Sequence, residues 1–230
     1  MTNIGSSAER KIITAGFIPL VDCAALVVAR EKGFAEAEGI DLHLVKEVSW
    51  ANIRDRINVG QFDVAHMLAA MPIAASLGVG HVQIPMIAPM TLGVGGNAVT
   101  FSTALCNELG LVPGATHDPL TVGGALAQGI AHRQTNGADV LTFGTVFPFS
   151  NHNYQLRYWM AGAGIDPDRD VRLVVIPPSF MVQNLKAGLI DGYCAGEPWN
   201  TLAADEQVGC VAFSAAEVWP RGPEKVLGMQ

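Results

Sequence analysis

Charge is scarce in this chain: Asp, Glu, Lys and Arg make up 15% of its 230 residues, and the formal balance is −7. A shortage of positive charge argues against a duplex nucleic-acid surface, whose affinity comes mostly from neutralising phosphates. No direct nucleic-acid contact is expected, and a bound anion would need a local site. Long apolar runs are missing too. Pro19, Asp22, Arg30, Pro72 and Pro85 interrupt every candidate before it reaches the ~18 to 20 residues of a membrane span, so no membrane insertion is expected. The N-terminus has charges at Glu9, Arg10 and Lys11 but no apolar segment and small-residue cleavage site behind them. It reads as cytoplasmic, or as periplasmic with an export signal replaced by a new Met. Cys23, Cys106, Cys194 and Cys210 lie far apart with no CxxC pair. They could form two disulfides, but single thiols in apolar surroundings read as small core residues.

Catalytic signatures are also lacking. There is no GxSxG, no HExxH and no Walker lysine loop, and His43, His66, His81, His117, His132 and His152 show no metal-ligand spacing. The run Gly93 to Gly96 lacks the third glycine and the acidic ribose ligand of a dinucleotide fingerprint. The chain is read as a non-enzyme without cofactor or bound metal. A hydrophobic content of 50% supports a large core, arranged as one extended domain or two small lobes.

What is present is an alternation of strands and helices. Ile12, Ile13, Ala15 and Phe17 predict a strand, and Asp22 can N-cap a helix with Ala25, Leu26, Val28, Ala29 and Phe34 at helical spacing. Leu42, Leu44 and Val45 predict a second strand, and Ser49 caps a helix through Val59 that Gly60 stops. A third strand begins at Phe62, a short helix carries Pro72 near its first turn, and a fourth strand begins at Val82. This order predicts an α/β fold with a mostly parallel, doubly wound sheet. The Gly-rich segment Leu92 to Thr100 marks a crossover. Beyond it come a helix from Thr121 to Gln134, a strand from Asp139, a helix after His152 through Met160, a strand from Val171, a helix from Ser179 to Ala187 and a strand within Asp191 to Asn200.

The segment from Gly16 to Val45, followed by "SWANIRDR" at Ser49 to Arg56 and "GEPW" at Gly196 to Trp199, resembles the nitrate/nitrite/bicarbonate-binding family of ABC-transporter substrate-binding proteins. The resemblance covers essentially all of the chain. It implies a two-lobed periplasmic-binding-protein type II fold, with residues 1–96 as the first part of lobe one, 97–195 as lobe two and 196–230 returning to a lobe one short of its C-terminal helices. It implies binding of nitrate or nitrite between the lobes. Bicarbonate or another small molecule is the alternative, and a pyrimidine-precursor synthase-like enzyme is a more remote one. Two roles follow: receptor for an ABC permease, or cytoplasmic sensor that releases an antiterminator protein.

Ligands of open α/β sheets sit beyond the carboxyl ends of strands and at helix N-termini, which directs attention to the loops there. Trp50 occupies such an edge, with the first amides of its helix. Asn97 stands where the resemblance places a Gln, and an amide can donate two N–H bonds to an anion. His152 follows a strand at a helix start, and Pro178 matches a loop that frames the ligand. Lys225 matches the lysine of nitrate-binding members, where bicarbonate-binding relatives carry an acidic group that helps hold a metal. A buried anion needs a compensating charge, and Lys225→Ala is expected to leave the fold intact while weakening nitrate binding. Arg54 and Arg56 read as a solvated face paired with Asp55, and Glu197 as a carboxylate locking the domains.

Overall fold

In the computed structural model, residues 10–80, 82–115 and 117–230 are described. The N-terminal stretch through Glu9 and His81, both weighed above, lie outside the described residues. Lobe one opens with strand β1 (Lys11–Phe17), helices α1 (Ala24–Glu31) and α2 (Phe34–Ala37), and strand β2 (Ile40–Lys46). Helix α3 (Trp50–Asn58), strand β3 (Val64–Leu68), helix α4 (Ala70–Leu77) and strand β4 (Ile87–Val94) follow. Ser49 caps α3 as expected, its hydroxyl accepting from the Asn52 amide at 3.1 Å. That bond satisfies one of the free N–H groups at the helix start.

Lobe two holds β5 (Asn97–Ser102), α5 (Thr103–Glu108), α6 (Pro119–Thr135), β6 (Thr142–Thr145), α7 (Asn151–Gly162) and β7 (Arg172–Val175). It closes with α8 (Met181–Lys186), β8 (Gly192–Gly196), α9 (Trp199–Asp205) and β9 (Gly209–Ser214). The last strand, β10 (Pro223–Met229), lies back in lobe one. The two five-stranded sheets run β2-β1-β3-β10-β4 and β7-β6-β8-β5-β9.

Three expectations need correction. The return to lobe one does not begin at residue 196, because β8 and β9 both pair with β5 in the second sheet; the chain recrosses between Ser214 and Pro223. The sheets are mixed, since β10 runs antiparallel between β3 and β4 and β5 runs antiparallel between β8 and β9. The fourth strand starts at Ile87, not Val82. The Ile84 and Met86 amides are taken by Ala75 O at 2.9 Å and Ser76 Oγ at 3.0 Å, and Pro85 has no N–H to give a ladder.

Two chain crossings therefore link the lobes, at Gly95–Gly96 and at 215–222. Gly95 and Gly96 sit at φ of +68° and +93°, a region that side chains rarely adopt, and the Gly95 amide donates to Gly222 O at 2.9 Å. The crossings are thus tied together where the lobes meet. One apolar core joins Trp50, Ile53 and Met67 of lobe one to Phe147, Met181 and Tyr193 of lobe two. A second lies within lobe two around Phe101, Leu126, Phe143 and Trp159. Cys106 of α5 and Cys210 of β9 form a disulfide, so two of the four cysteines are cross-linked while Cys23 and Cys194 are free and buried.

Candidate functional site

Each lobe feeds polar side chains into the same gap by the same device, an antiparallel strand that begins where its neighbour ends. In lobe one, Lys225 at the start of β10 pairs with Leu68 at the end of β3. In lobe two, Asn97 at the start of β5 pairs with Gly196 at the end of β8. The β10–β4 ladder shifts register on both sides of Lys225. A bulge of this kind re-aims side chains that would otherwise alternate between faces, and both Glu224 and Lys225 are buried.

The Lys225 ammonium lies 2.9 Å from Asp22 Oδ2 and 3.3 Å from Glu224 Oε2. Asp22 Oδ1 in turn lies 2.9 Å from His66 Nε2. Asp22 is therefore not the helix cap expected of it. It sits inside a short 3-10 turn, Val21–Cys23, and its carboxylate goes to the lysine and the histidine. The Trp50 ring stands 5.7 Å from the Lys225 nitrogen and 5.3 Å from the His66 ring, a separation at which the ring's negative face attracts the cation. From lobe two, Asn97 donates to Gln155 Oε1 at 3.0 Å, and His152 Nε2 is 3.9 Å from Glu224 Oε2.

The structure brings Trp50, Asn97, His152 and Lys225 together at this gap. Pro178 stands one strand over, opening the 3-10 turn Pro178–Phe180 after β7, and the polar contacts of the cluster do not include it. Asp22, His66, Gln155 and Glu224 were not anticipated. Arg56 reaches the buried Glu47 at 2.9 Å rather than Asp55, whereas Arg54 meets Asp55 at 2.7 Å. Glu197 does not lock the lobes with its carboxylate, which accepts from the Thr201 amide at 3.0 Å. Its carbonyl crosses between lobes instead, accepting from the Val21 amide at 3.0 Å.

Burial is nearly complete. Lys225 and His66 are 0% exposed, Trp50, His152 and Glu224 1%, and Asn97 2%, while the Asp22 side chain keeps 21% of its surface. Several of these groups have no hydrogen-bond partner among the described residues: Trp50 Nε1, Asn97 Oδ1, both His152 ring nitrogens, Gln155 Nε2 and Glu224 Oε1. Each such buried atom costs about 1–3 kcal/mol, and their concentration in one gap marks it as a place built to be filled. Gly196 shapes that space. A methyl group on it would stand 3.7 Å from Asn97 Oδ1, 3.9 Å from Asp22 Oδ2 and 4.0 Å from His152 Nε2. A more open groove of about 720 Å³ runs along β9, but the unpartnered polar atoms do not line it.

The electrostatics follow from burial and pairing. Burial alone would raise the Asp22 carboxyl, yet the His66 contact and the Lys225 charge outweigh it and hold it at about 2. Burial raises Glu224 above the usual carboxylate range, against the pull of Lys225. Burial also holds both histidines neutral: His66 falls below its ordinary 6.5 despite Asp22, and His152, with Lys225 nearby, falls well below it.

An acid lability follows from the two histidines. Above pH 6.5 neither state binds an extra proton. Below it the unfolded chain gains protons that burial disfavours in the folded one, most strongly at His152, so stability drops as pH falls, by up to about 1.4 kcal/mol per unit for a ring that stays wholly neutral. Urea midpoints between pH 7 and 5 should show this slope, and His152→Gln should reduce it. An unchanged slope in that variant contradicts the burial argument.

Two mixed α/β lobes joined by two crossings, with a polar gap at their strand ends, define a periplasmic-binding-protein type II fold. The chain belongs to the NMT1-like family, whose profile matches residues 6–230. It is 43% identical over 98% of its length to the nitrate import ATP-binding protein NrtC of Synechocystis, covering 32% of that protein. It is 32% identical over 98% of its length to the bicarbonate-binding protein CmpA of Synechococcus, covering 49%. The crystal structure of the periplasmic nitrate-binding protein NrtA from Synechocystis superposes with a TM-score of 0.83 at 29% identity, over 96% of this chain and 56% of that one. The chain thus spans about a third of the ATP-binding relative and half of the binding proteins.

Proposed function

We propose that this protein binds a small planar oxyanion, nitrate or nitrite in the first reading, in the gap between its lobes, as the ligand-recognising part of an ABC import system. The observation that carries this is the convergence of buried, unpartnered polar atoms from both lobes around the Lys225 ammonium. A nitrate ion only accepts hydrogen bonds. The donors available to it are the Trp50 indole N–H, a His152 ring nitrogen and Lys225 itself.

A second reading is favoured by one feature. Lysine is the nitrate-like choice and an acid the bicarbonate-like one, and here Glu224 and Lys225 stand side by side. The free acceptors Asn97 Oδ1 and Glu224 Oε1 suit a ligand that carries a hydrogen, as bicarbonate does. The import role rests on the relatives above, and we carry it forward with a permease as partner in place of the antiterminator. Likeness to an ATP-binding protein also supports a ligand-recognising unit attached to a transport ATPase, since this chain has no Walker lysine loop of its own.

Calorimetric titration with nitrate, nitrite and bicarbonate, each with and without EDTA, tests the proposal. Nitrate binding that EDTA leaves unchanged is the expected result. Bicarbonate binding lost in EDTA and restored by Ca²⁺ shifts the assignment to the second reading, and heat from none of the three anions sinks it.

A further inference from the structure

The charge balance of the gap carries a consequence for how an anion enters it. Its titratable groups come from every element around it: Asp22 from the turn after β1, His66 from β3, Glu224 and Lys225 from β10, His152 from α7 and the Cys194 thiol from β8. Asp22 and Lys225 cancel at 2.9 Å. The lysine, which an anion would need as its counter-charge, is already neutralised, and Glu224 stands 3.3 Å from it on another side. With both carboxylates ionised the cluster bears a net negative charge before any ligand arrives. A buried ion without compensation costs several kcal/mol even after relaxation, so an anion cannot be added to this gap on the strength of Lys225 alone.

The geometry offers one remedy. Glu224 and His152 face each other with Oε2 and Nε2 3.9 Å apart, both are 1% exposed, and Glu224 Oε1 and both ring nitrogens lack a partner. Either group gains a hydrogen-bond donor on taking a proton: Glu224 becomes an O–H, and His152 carries N–H on both sides. Each new donor has an oxyanion to meet, and one proton per anion leaves the buried charge unchanged whichever group receives it.

We infer that the site takes up its oxyanion together with one proton from solvent, held by the Glu224–His152 pair. This rests on the oxyanion reading above and specifies how the same site is regulated: binding is strongest where protons are available and weakens as the medium becomes alkaline. Because the two groups interact, the proton belongs to the pair. Burial raises Glu224 and lowers His152 from their ordinary values, each shift disfavouring the charged form of the group in the gap. Bicarbonate bears the same single charge as nitrate, so it too is taken up with a proton.

Nitrate is titrated into the wild-type protein by calorimetry at about pH 7.5 in buffers of different ionisation heat, and its affinity is followed from pH 6 to 9. The inference expects uptake near one proton per nitrate and an affinity that falls by up to about tenfold per pH unit. Glu224→Gln and His152→Asn should each reduce the uptake, and the double variant should abolish it. Nitrate binding with no proton uptake and pH-independent affinity overturns the inference and leaves the oxyanion reading standing. Uptake that persists in the double variant overturns it as well, by placing the proton elsewhere. No binding of nitrate or bicarbonate at any pH overturns both.

Discussion

Lys225→Ala is expected to destabilise the protein by about 3–5 kcal/mol, the scale for removing one partner of a buried charge pair. The sequence alone suggested a variant that folds normally and merely binds less nitrate. The structure changes that expectation because Lys225 is 0% exposed and separates two carboxylates, Asp22 at 2.9 Å and Glu224 at 3.3 Å. Without the ammonium, the buried Glu224 and the partly exposed Asp22 lose their shared counter-charge. The pH dependence has a definite sign. Asp22 titrates at about 2 in the folded protein against an ordinary 3.8, so the stability it contributes is present above 3.8 and is lost as pH falls from there toward 2. The variant no longer has that contribution. Its deficit should be largest near neutrality and shrink in acid, where protonation removes the repulsion. Adding Asp22→Asn to Lys225→Met should recover much of the loss by removing both charges together. Urea unfolding at neutral and acid pH measures all of this, and a Lys225→Ala midpoint equal to wild type would place the lysine outside a buried charge network.

What could be seen in the sequence was local. The period-two and period-3.6 patterns located β1, β2, α3 and α6, and the Ser49 cap was correct to the residue because a side chain three positions from its amide partner is a short-range matter. Trp50 and His152 were accessible for a related reason: each begins a helix directly after a strand, where ligands of such sheets sit. The partners of Lys225 were not accessible. Asp22 stands where a helix cap belongs, and only the arrival of β10, some two hundred residues later, turns its carboxylate toward a lysine. Likewise, no local pattern says that β9 stays in the second sheet or that β10 enters between β3 and β4, since antiparallel insertion is a long-range choice. Two signals were available and passed over. His66 is the lone polar residue in the buried run Val64–Leu68, and Glu224 precedes Lys225 at the head of a strand whose remaining residues are apolar. Buried strands carry such groups only where something pairs with them. The disulfide was missed because Cys106 and Cys210 are 104 residues apart, and spacing says nothing about that pairing.

Gly196→Ala separates the gap from the stability of the protein. The added methyl meets its nearest neighbours at 3.7 to 4.0 Å, ordinary contact distances, and a strand residue gains slightly from the less flexible unfolded chain. Folding should therefore be unchanged or marginally improved. Those neighbours are Asn97 Oδ1, Asp22 Oδ2 and His152 Nε2, the atoms that bound the space assigned to the oxyanion, so the methyl takes the ligand's place. Nitrate titrated calorimetrically into wild type and Gly196→Ala, alongside their melting temperatures, is the most direct test of the site. We predict equal melting and a loss of nitrate affinity of at least about a hundredfold, the scale of a few kcal/mol for a steric block in a closed pocket. Nitrate bound equally well by both proteins would contradict the assignment of this gap as the binding site.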